Sequence, residues 1–164
     1  METYFENISV NTVEQNYEAI WHFQRKGIVR NLVIMGIGIV VFVVLWCIQD
    51  TMVYLAAALL YAGMFIWQLR KPRRSAQRIY DNKLAYYDNV LPPATFLFYE
   101  DHFEVSDIDS HNTVAYKKIH TVGLLKFCTA VDLADGRVFL VSNDGFQKGT
   151  LEEFRAFLRT KSPS

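Results

Sequence analysis

Two long stretches without a charged residue constrain this chain more than any other feature of its sequence. Arg30 and Asp50 bound the first, residues 31–49, and Asp50 and Arg70 bound the second, residues 51–69. As helices, stretches of about 19 residues reach roughly 28 Å, close to the thickness of the hydrocarbon core of a bilayer. Neither has the polar face that a helix at the surface of a soluble protein needs. Because a chain of 164 residues is too small to enclose two such helices, we predict two membrane spans.

The distribution of basic residues predicts how these spans are oriented. Only Gln49 and Asp50 separate them, so they form a tight antiparallel hairpin whose turn contains no Lys or Arg. Basic residues flank the other two ends, including Arg25, Lys26 and Arg30 before the first span. Segments rich in Lys and Arg stay on the cytoplasmic side. We therefore predict a multi-pass protein of the cell inner (plasma) membrane with two spans and both termini in the cytoplasm.

The basic residues after the second span are the candidate site for lipid headgroups. We name them the basic collar: Arg70, Lys71, Arg73, Arg74 and Arg78. Near an anionic membrane surface each such residue contributes about 1 kcal/mol of attraction. The collar has two interpretations, a simple determinant of topology and a surface that recognises lipid headgroups.

Small residues on both predicted spans favour close packing of the hairpin, because they let helix backbones approach. They are Gly36, Gly38, Ala58, Ala62 and Gly63. The two cysteines, Cys47 in the first span and Cys128 in the C-terminal part, are expected to lie at different levels and to stay unpaired.

The segments that flank the hairpin also predict defined structure. Residues 1–27 indicate a short strand and then an amphipathic helix, which begins after Thr12 with the capping-box sequence T-V-E-Q. Residues 28–70 form the transmembrane hairpin. Residues 71–93 are predicted to form a basic juxtamembrane helix that two prolines end.

The C-terminal part, residues 94–164, alternates apolar and polar residues in short runs typical of strands. Asp135-Gly136 predicts a hairpin turn, and residues 143–149 indicate a loop. Thr150 and Glu153 form a second capping box at the start of an amphipathic helix. The predicted fold class is membrane α+β, with a cytoplasmic antiparallel β domain like a pleckstrin-homology (PH) domain. The C-terminal helix caps this domain, and the N-terminal strand is a candidate to complete its sheet.

Four segments carry a resemblance to a known family. They are N-Y-E-A-I-W at 16–21, F-L-F-Y-E-D-H-F-E-V at 96–105, Y-K-K-I at 116–119 and V-S-N-D-G-F-Q-K-G-T-L-E-E-F at 141–154. With the order of elements around them, these segments resemble the YcxB-like family of small bacterial membrane proteins. Many members have a Pro where residues 142–145 of this chain have none. The resemblance implies the fold and the topology, but neither a mechanism nor a functional residue.

Five acidic residues fall close together in the predicted β domain and are the candidate site for partner docking. We name them the acidic cluster: Glu100, Asp101, Glu104, Asp107 and Asp109. Residues 84–144 contain nine acidic and four basic residues, so the whole region is acidic. One interpretation is a solvated face. The other is a docking surface for a basic protein segment.

The sequence contains no motif for catalysis or for a cofactor. His102, His111 and His120 are evenly spaced but fall on turns and different strands, unlike a zinc site. Cys128 with His120 and Asp132 is conceivable as a nucleophilic group, but a cysteine in such an apolar run is more often inert. We predict a protein that is not an enzyme and has no cofactor, no metal site and no small-molecule substrate. The net charge of 0 argues against a nucleic-acid partner.

The functional expectation is a non-enzymatic bacterial inner-membrane protein whose cytoplasmic PH-like domain binds a protein or lipid partner near the membrane. One alternative is a membrane immunity protein that neutralises a toxin by binding it directly. Another is an accessory subunit of a membrane enzyme or transporter. Self-association through exposed strand edges is a further open interpretation.

Overall fold

The computed structural model describes residues 2–161 and divides the chain into two compact units. The first, which we name the β unit, comprises Met1–Ala19 and Ala76–Ser164. The second, the hairpin unit, comprises Ile20–Ser75. The β unit is therefore discontinuous in sequence, and the hairpin unit is inserted into it.

Two long helices contain the predicted membrane spans, and each helix is longer than its span. The first, α1, runs over Val13–Gln49 with 37 residues, and the second, α2, over Met52–Tyr86 with 35 residues. At about 1.5 Å per residue they measure about 55 Å and about 52 Å. Both are long and apolar enough to cross a membrane, as predicted.

Each helix is continuous where the sequence suggested two separate elements. The predicted amphipathic helix near the N-terminus and the first span are both part of α1, and α2 contains the second span and most of the predicted helix 71–93. The change from apolar to basic residues does not interrupt α2, because Arg, Lys and Gln are good helix formers. Even Pro72 lies inside this helix.

Within the hairpin unit, the two helices pack against each other around Tyr61. A Cβ atom built on Gly38 would lie 2.6 Å from the Tyr61 ring, so only glycine leaves room for it. The Phe42 and Tyr61 rings lie 5.3 Å apart, and Ala58 is buried. Two of the predicted small residues take no part in this contact, because a Cβ built on Gly36 or Gly63 would have no described atom within 4 Å apart from its chain neighbours and its own helix backbone.

Besides the start of α1 and the end of α2, the described part of the β unit contains eight strands, a short 3-10 turn and one helix. The strands are β1 Phe5–Ser9, β2 Ala94–Phe98, β3 His102–Ser106, β4 His111–Ala115, β5 Ile119–Leu124, β6 Cys128–Leu133, β7 Val138–Ser142 and β8 Phe146–Lys148. The turn is Tyr116–Lys118 and the helix, α3, is Leu151–Lys161. One antiparallel sheet has the order β4-β3-β2-β1-β8, and the other has the order β5-β6-β7.

Strand β1 lies inside the five-stranded sheet, between β2 and β8. All five of its residues pair with β2, from Phe5 opposite Phe98 to Ser9 opposite Ala94. This confirms that the N-terminal strand completes the sheet. The short strand β8 was predicted as part of a loop. It forms because β1 offers an unpaired edge, which local sequence does not reveal.

A cluster of aromatic side chains fills the space between the sheets and α3. Phe98 is fully buried and lies 4.6 Å from Phe154 of α3 and 5.4 Å from Phe103, measured between ring centroids. Phe5 of β1 contacts Phe154 at 5.5 Å. The N-terminal strand and the C-terminal helix therefore share one core.

Both predicted capping boxes are present. The Thr12 N–H donates to Gln15 Oε1 and the Gln15 N–H donates to Thr12 Oγ1, each at 3.2 Å. At α3 the Thr150 N–H donates to Glu153 Oε2 at 3.0 Å, and the Glu153 N–H donates to Thr150 Oγ1 at 3.3 Å. Reciprocal bonds of this kind satisfy amide groups that a helix start leaves unpaired.

Polar side chains join β1 to β7 of the other sheet. Asn7 is fully buried, and its Nδ2 donates to the Ser142 carbonyl at 2.8 Å. Ser9 Oγ accepts from the Ser142 N–H at 2.7 Å and donates to Asn7 Oδ1 at 2.6 Å. Buried polar groups are costly unless they are paired, so this network fixes the position of β1.

The first turns of α1 are tied to the β unit through the turn between β5 and β6. Glu18 Oε2 accepts from the Phe127 N–H at 3.0 Å. In α3, Arg155 Nη2 donates to the Leu125 carbonyl at 2.7 Å, and Asn143 Nδ2 donates to the same carbonyl at 3.1 Å. The start of α1 and the helix α3 are thus held to a single turn.

Candidate functional site

The exposed side of the five-stranded sheet carries a group of neighbouring polar and titratable side chains. Because side chains alternate along a strand, Phe96 and Phe98 face the core while their neighbours face outward. We name this surface the outer sheet face: Glu6, Ile8, Thr95, Leu97, Tyr99, His102, Glu104, Ser106, His111 and Thr113. None of these ten residues is Lys or Arg, but Lys148 of the edge strand β8 pairs with Glu6 and so lies beside this face. The Lys148 ammonium donates to the Thr3 carbonyl and lies 3.8 Å from Glu2 Oε1.

The strand register arranges this face in rows across the sheet. One row consists of Lys148, Glu6, Leu97, Glu104 and Thr113, which follow one another on β8, β1, β2, β3 and β4. An apolar side chain thus lies between two carboxylates. The next row consists of Ile8, Thr95, Ser106 and His111 on strands β1 to β4. Ile8 is 39% exposed.

The structure disperses the acidic cluster into three places. Only Glu104 lies on the outer sheet face, and Asp101 lies at its edge in the turn between β2 and β3. Glu100 of the same turn lines a separate cleft beside α3. Asp107 and Asp109 belong to the turn between β3 and β4. The five residues therefore lie in three separate parts of the β unit.

The turn between β3 and β4 gives Asp107 a structural role. Its Oδ1 accepts from the N–H groups of Asp109 at 3.0 Å and Ser110 at 2.7 Å, and from Ser110 Oγ at 2.9 Å. Partial burial lowers the pKa of Lys83 on α2, and the nearby Asp107 carboxylate opposes that change. Asp107 thus stabilises its own turn through hydrogen bonds and interacts electrostatically with Lys83.

Glu100 lines an open cleft of about 410 Å³. The cleft is bordered by Tyr4, Phe5, Glu100, Gly149, Glu153, Phe157, Thr160 and Lys161. Lys161 Nζ lies 5.4 Å from the centroid of the Phe157 ring and 5.9 Å from that of Tyr116, so a cation of the chain itself already lies over these rings.

Two histidines adjoin Glu104, and neither was among the predicted site residues. His102 Nε2 lies 3.7 Å from Glu104 Oε1, and His111 Nε2 lies 4.0 Å from Glu104 Oε2. His102 and Glu104 are two residues apart on one strand, which signals a shared face. The place of His111 depends on the register of β3 and β4, which the sequence alone does not provide.

The histidines do not form a metal centre with their neighbours. Within residues 2–161, no group of three or more His, Cys, Asp or Glu side chains is arranged to hold a metal ion. His120 is exposed on β5, away from the other two in the sheet order. Glu104, His102 and His111 together provide a carboxylate and two imidazoles, which are groups that can bind protons.

Cys128 is a buried, unreactive thiol. It is fully buried on β6, and burial raises its pKa to about 12, with a smaller contribution in the same direction from Glu18. The thiol is therefore protonated at neutral pH, and only the thiolate is nucleophilic. This agrees with the inert role predicted for it, and Cys47 is likewise unpaired.

The basic collar lies on the exposed side of α2. At about 100° per residue, Arg70, Lys71, Arg74 and Arg78 fall within an arc of about 100°, and Arg73 lies about 60° outside it. All five side chains are exposed. Gln68, Pro72 and Ala76 are buried on the opposite side of the helix. Lys71 Nζ lies 5.6 Å from the centroid of the Trp67 ring.

Comparison of the chain with protein-family models, with curated proteins and with solved structures found no match. The functional argument therefore rests on the residues and geometry described above.

Proposed function

We propose that this chain is a non-enzymatic protein of the bacterial inner membrane. In this proposal the two helices cross the membrane, both termini are cytoplasmic, and the β unit docks a basic segment of a protein partner near the membrane. The observation that carries the proposal is the insertion of the hairpin between β1 and β2.

That insertion restricts the topology. Strands β1 and β2 pair along five residues, so they lie on one side of any membrane that the chain crosses. The segment between them must then cross an even number of times, and α1 and α2 supply two crossings. The basic collar favours the cytoplasm as the side on which the β unit lies.

The outward-facing residues of the hairpin unit support membrane insertion. Large apolar side chains are exposed along both helices, among them Val33, Ile34, Ile37, Val40, Ile48, Val53, Leu59 and Leu60. Almost none of either apolar segment is buried within the protein. Such a surface suits lipid chains and is unfavourable in water.

The architecture of the β unit supports the PH-like interpretation. Two antiparallel sheets of five and three strands enclose one core, and α3 closes it through Phe154 and Leu158. The resemblance to the YcxB-like family implies these features, and we propose a PH-like β unit on that basis.

The outer sheet face favours a basic protein segment over a lipid headgroup. Glu6 and Glu104 flank Leu97, so the face presents two anions around an apolar side chain. Lys148, which pairs with Glu6 on β8, directs its ammonium to the Thr3 carbonyl and to Glu2, and Glu104 has no Lys or Arg partner on this face. A segment with Lys or Arg on both sides of an apolar residue complements that pattern. Anionic headgroups would be repelled there, and we assign them to the basic collar instead.

Site-specific photo-crosslinking in living cells tests this proposal. A photoreactive amino acid replaces Thr113 on the outer sheet face or, as the matched control, the exposed Glu152 on α3. We expect a protein adduct from position 113 but not from 152, and its loss when Glu6→Gln and Glu104→Gln are added. A protein adduct from 113 that survives both substitutions, or adducts with lipid only, would contradict the proposal.

A further inference from the structure

His102 lies between two carboxylates on the outer sheet face. Its Nδ1 lies 2.6 Å from Asp101 Oδ1, and its Nε2 lies 3.7 Å from Glu104 Oε1. The ring stacks on Tyr99 of β2, with 4.8 Å between centroids. The Tyr99 hydroxyl is 3.5 Å from Glu104 Oε2. The imidazole side chain is only 20% exposed, so its environment is set largely by these groups.

His111 approaches the same carboxylate from the neighbouring strand. Its Nε2 lies 4.0 Å from Glu104 Oε2, while its Nδ1 makes a 2.6 Å hydrogen bond with Ser106 Oγ. The next residue, Asn112, accepts at 3.5 Å from Arg137, which is paired with Asp135. On the other side of the cluster, Lys161 of α3 acts electrostatically on Asp101.

The two histidines are therefore linked through one carboxylate. Each ring has one nitrogen fixed by a partner on its own side and turns Nε2 towards a different oxygen of Glu104. When His102 is neutral and donates its Nδ1 proton to Asp101, its Nε2 lone pair faces the negative charge of Glu104. Protonation of His102 replaces that repulsion by attraction. The positive His102 ring then offsets part of the Glu104 charge, so Glu104 attracts a proton to His111 less strongly.

We propose that His102, Glu104 and His111 act as one proton-binding unit that sets the charge of the outer sheet face. With both imidazoles neutral, Asp101 and Glu104 give the cluster a formal charge of −2, and with both protonated the charge is 0. Imidazoles change charge between about pH 5 and 8. A basic partner segment thus meets a face that carries two more negative charges at higher pH than at lower pH.

This inference deepens the proposed function and rests on it for its consequence, the pH dependence of docking. The charge unit itself can be measured without any partner. The chain also provides internal references, because His22 and His120 are exposed and lie outside the cluster.

The test is an NMR titration of isotope-labelled histidine rings in the full chain, held in nanodiscs of zwitterionic lipid. We expect Glu104→Gln to displace the titration curves of both His102 and His111 to lower pH and to leave those of His22 and His120 in place. Asp101→Asn should displace mainly the curve of His102. The inference would be overturned if the titration curves of His102 and His111 were the same in the Glu104→Gln variant as in wild type.

A second arm measures docking with a defined probe, a short Lys-Leu-Lys peptide, at pH 8 and pH 6. If each added charge weakens binding by about twofold, wild type should bind about fourfold more weakly at pH 6. The double variant His102→Gln/His111→Gln should lose this ratio, and a retained ratio would overturn the inference. If the peptide binds at neither pH, the proposed docking function is contradicted, while the ring titrations still decide whether the proton-binding unit exists.

Discussion

The Phe5→Ala substitution is expected to weaken the whole β unit, although Phe5 belongs to a strand of only five residues at the N-terminus. The Phe5 ring contacts Phe154 at 5.5 Å and Phe157 at 5.4 Å, and it is 8% exposed. Replacing a buried phenylalanine by alanine costs about 3–5 kcal/mol. Because Phe5 borders the open cleft, we expect the lower end, about 3 kcal/mol.

The buried thiol of Cys128 provides the assay. In a Cys47→Ser background, a thiol reagent reaches Cys128 only when the β unit opens, because the side chain is fully buried. When opening and closing are fast, the labelling rate follows the population of the open form. A loss of about 3 kcal/mol should then raise the rate about 100-fold or more, since 1.4 kcal/mol is a factor of 10.

Ile8→Ala is the matched control on the same strand. Ile8 points to the outer sheet face and is 39% exposed, so its loss should cost less than about 1 kcal/mol. If Phe5→Ala changed the labelling rate less than tenfold, or no more than Ile8→Ala did, the argument that β1 is part of the core would be refuted.

Three further predictions follow from individual contacts. Gly149→Ala should destabilise the β unit more than Gly136→Ala, because both glycines have φ near +80° but only at position 149 would the new Cβ overlap a side chain, the Phe5 ring. The thiol assay should show more than a tenfold difference between the two, and equal effects would count against the contact. Thr150→Ala removes a capping bond and should cost about 1 kcal/mol in the same assay, and an unchanged rate would argue against the cap. Changing all five residues of the basic collar to Gln should reduce the anionic phospholipid that co-purifies with the chain, measured by native mass spectrometry, whereas unchanged lipid retention would argue against the collar as a lipid site.

Local signals in the sequence predicted the local elements well. The capping boxes at Thr12 and Thr150, the turn at Asp135-Gly136 and the two apolar helices are all confirmed. Each depends on a few neighbouring residues whose chemistry acts over one helical turn or one strand pair.

Features that depend on pairing between distant residues were harder to predict from the sequence. Strand β8 forms only because β1 presents an edge to it, and the acidic cluster is dispersed because its members lie on different turns. The approach of His111 to Glu104 requires the register between β3 and β4. His102 was predicted to lie in the turn before β3, whereas it is the first residue of that strand and shares a face with Glu104.

The central claim, a cytoplasmic β unit interrupted by two membrane crossings, is tested most directly by labelling an introduced cysteine in intact cells, since the remaining native Cys128 is fully buried. In a Cys47→Ser background, a membrane-impermeant maleimide is applied to Thr51→Cys in the hairpin turn or to Lys117→Cys in the exposed 3-10 turn. We predict that position 51 is labelled once the outer envelope is opened, and that position 117 is labelled only after the inner membrane is permeabilised. Labelling of both positions from the same side would contradict the account.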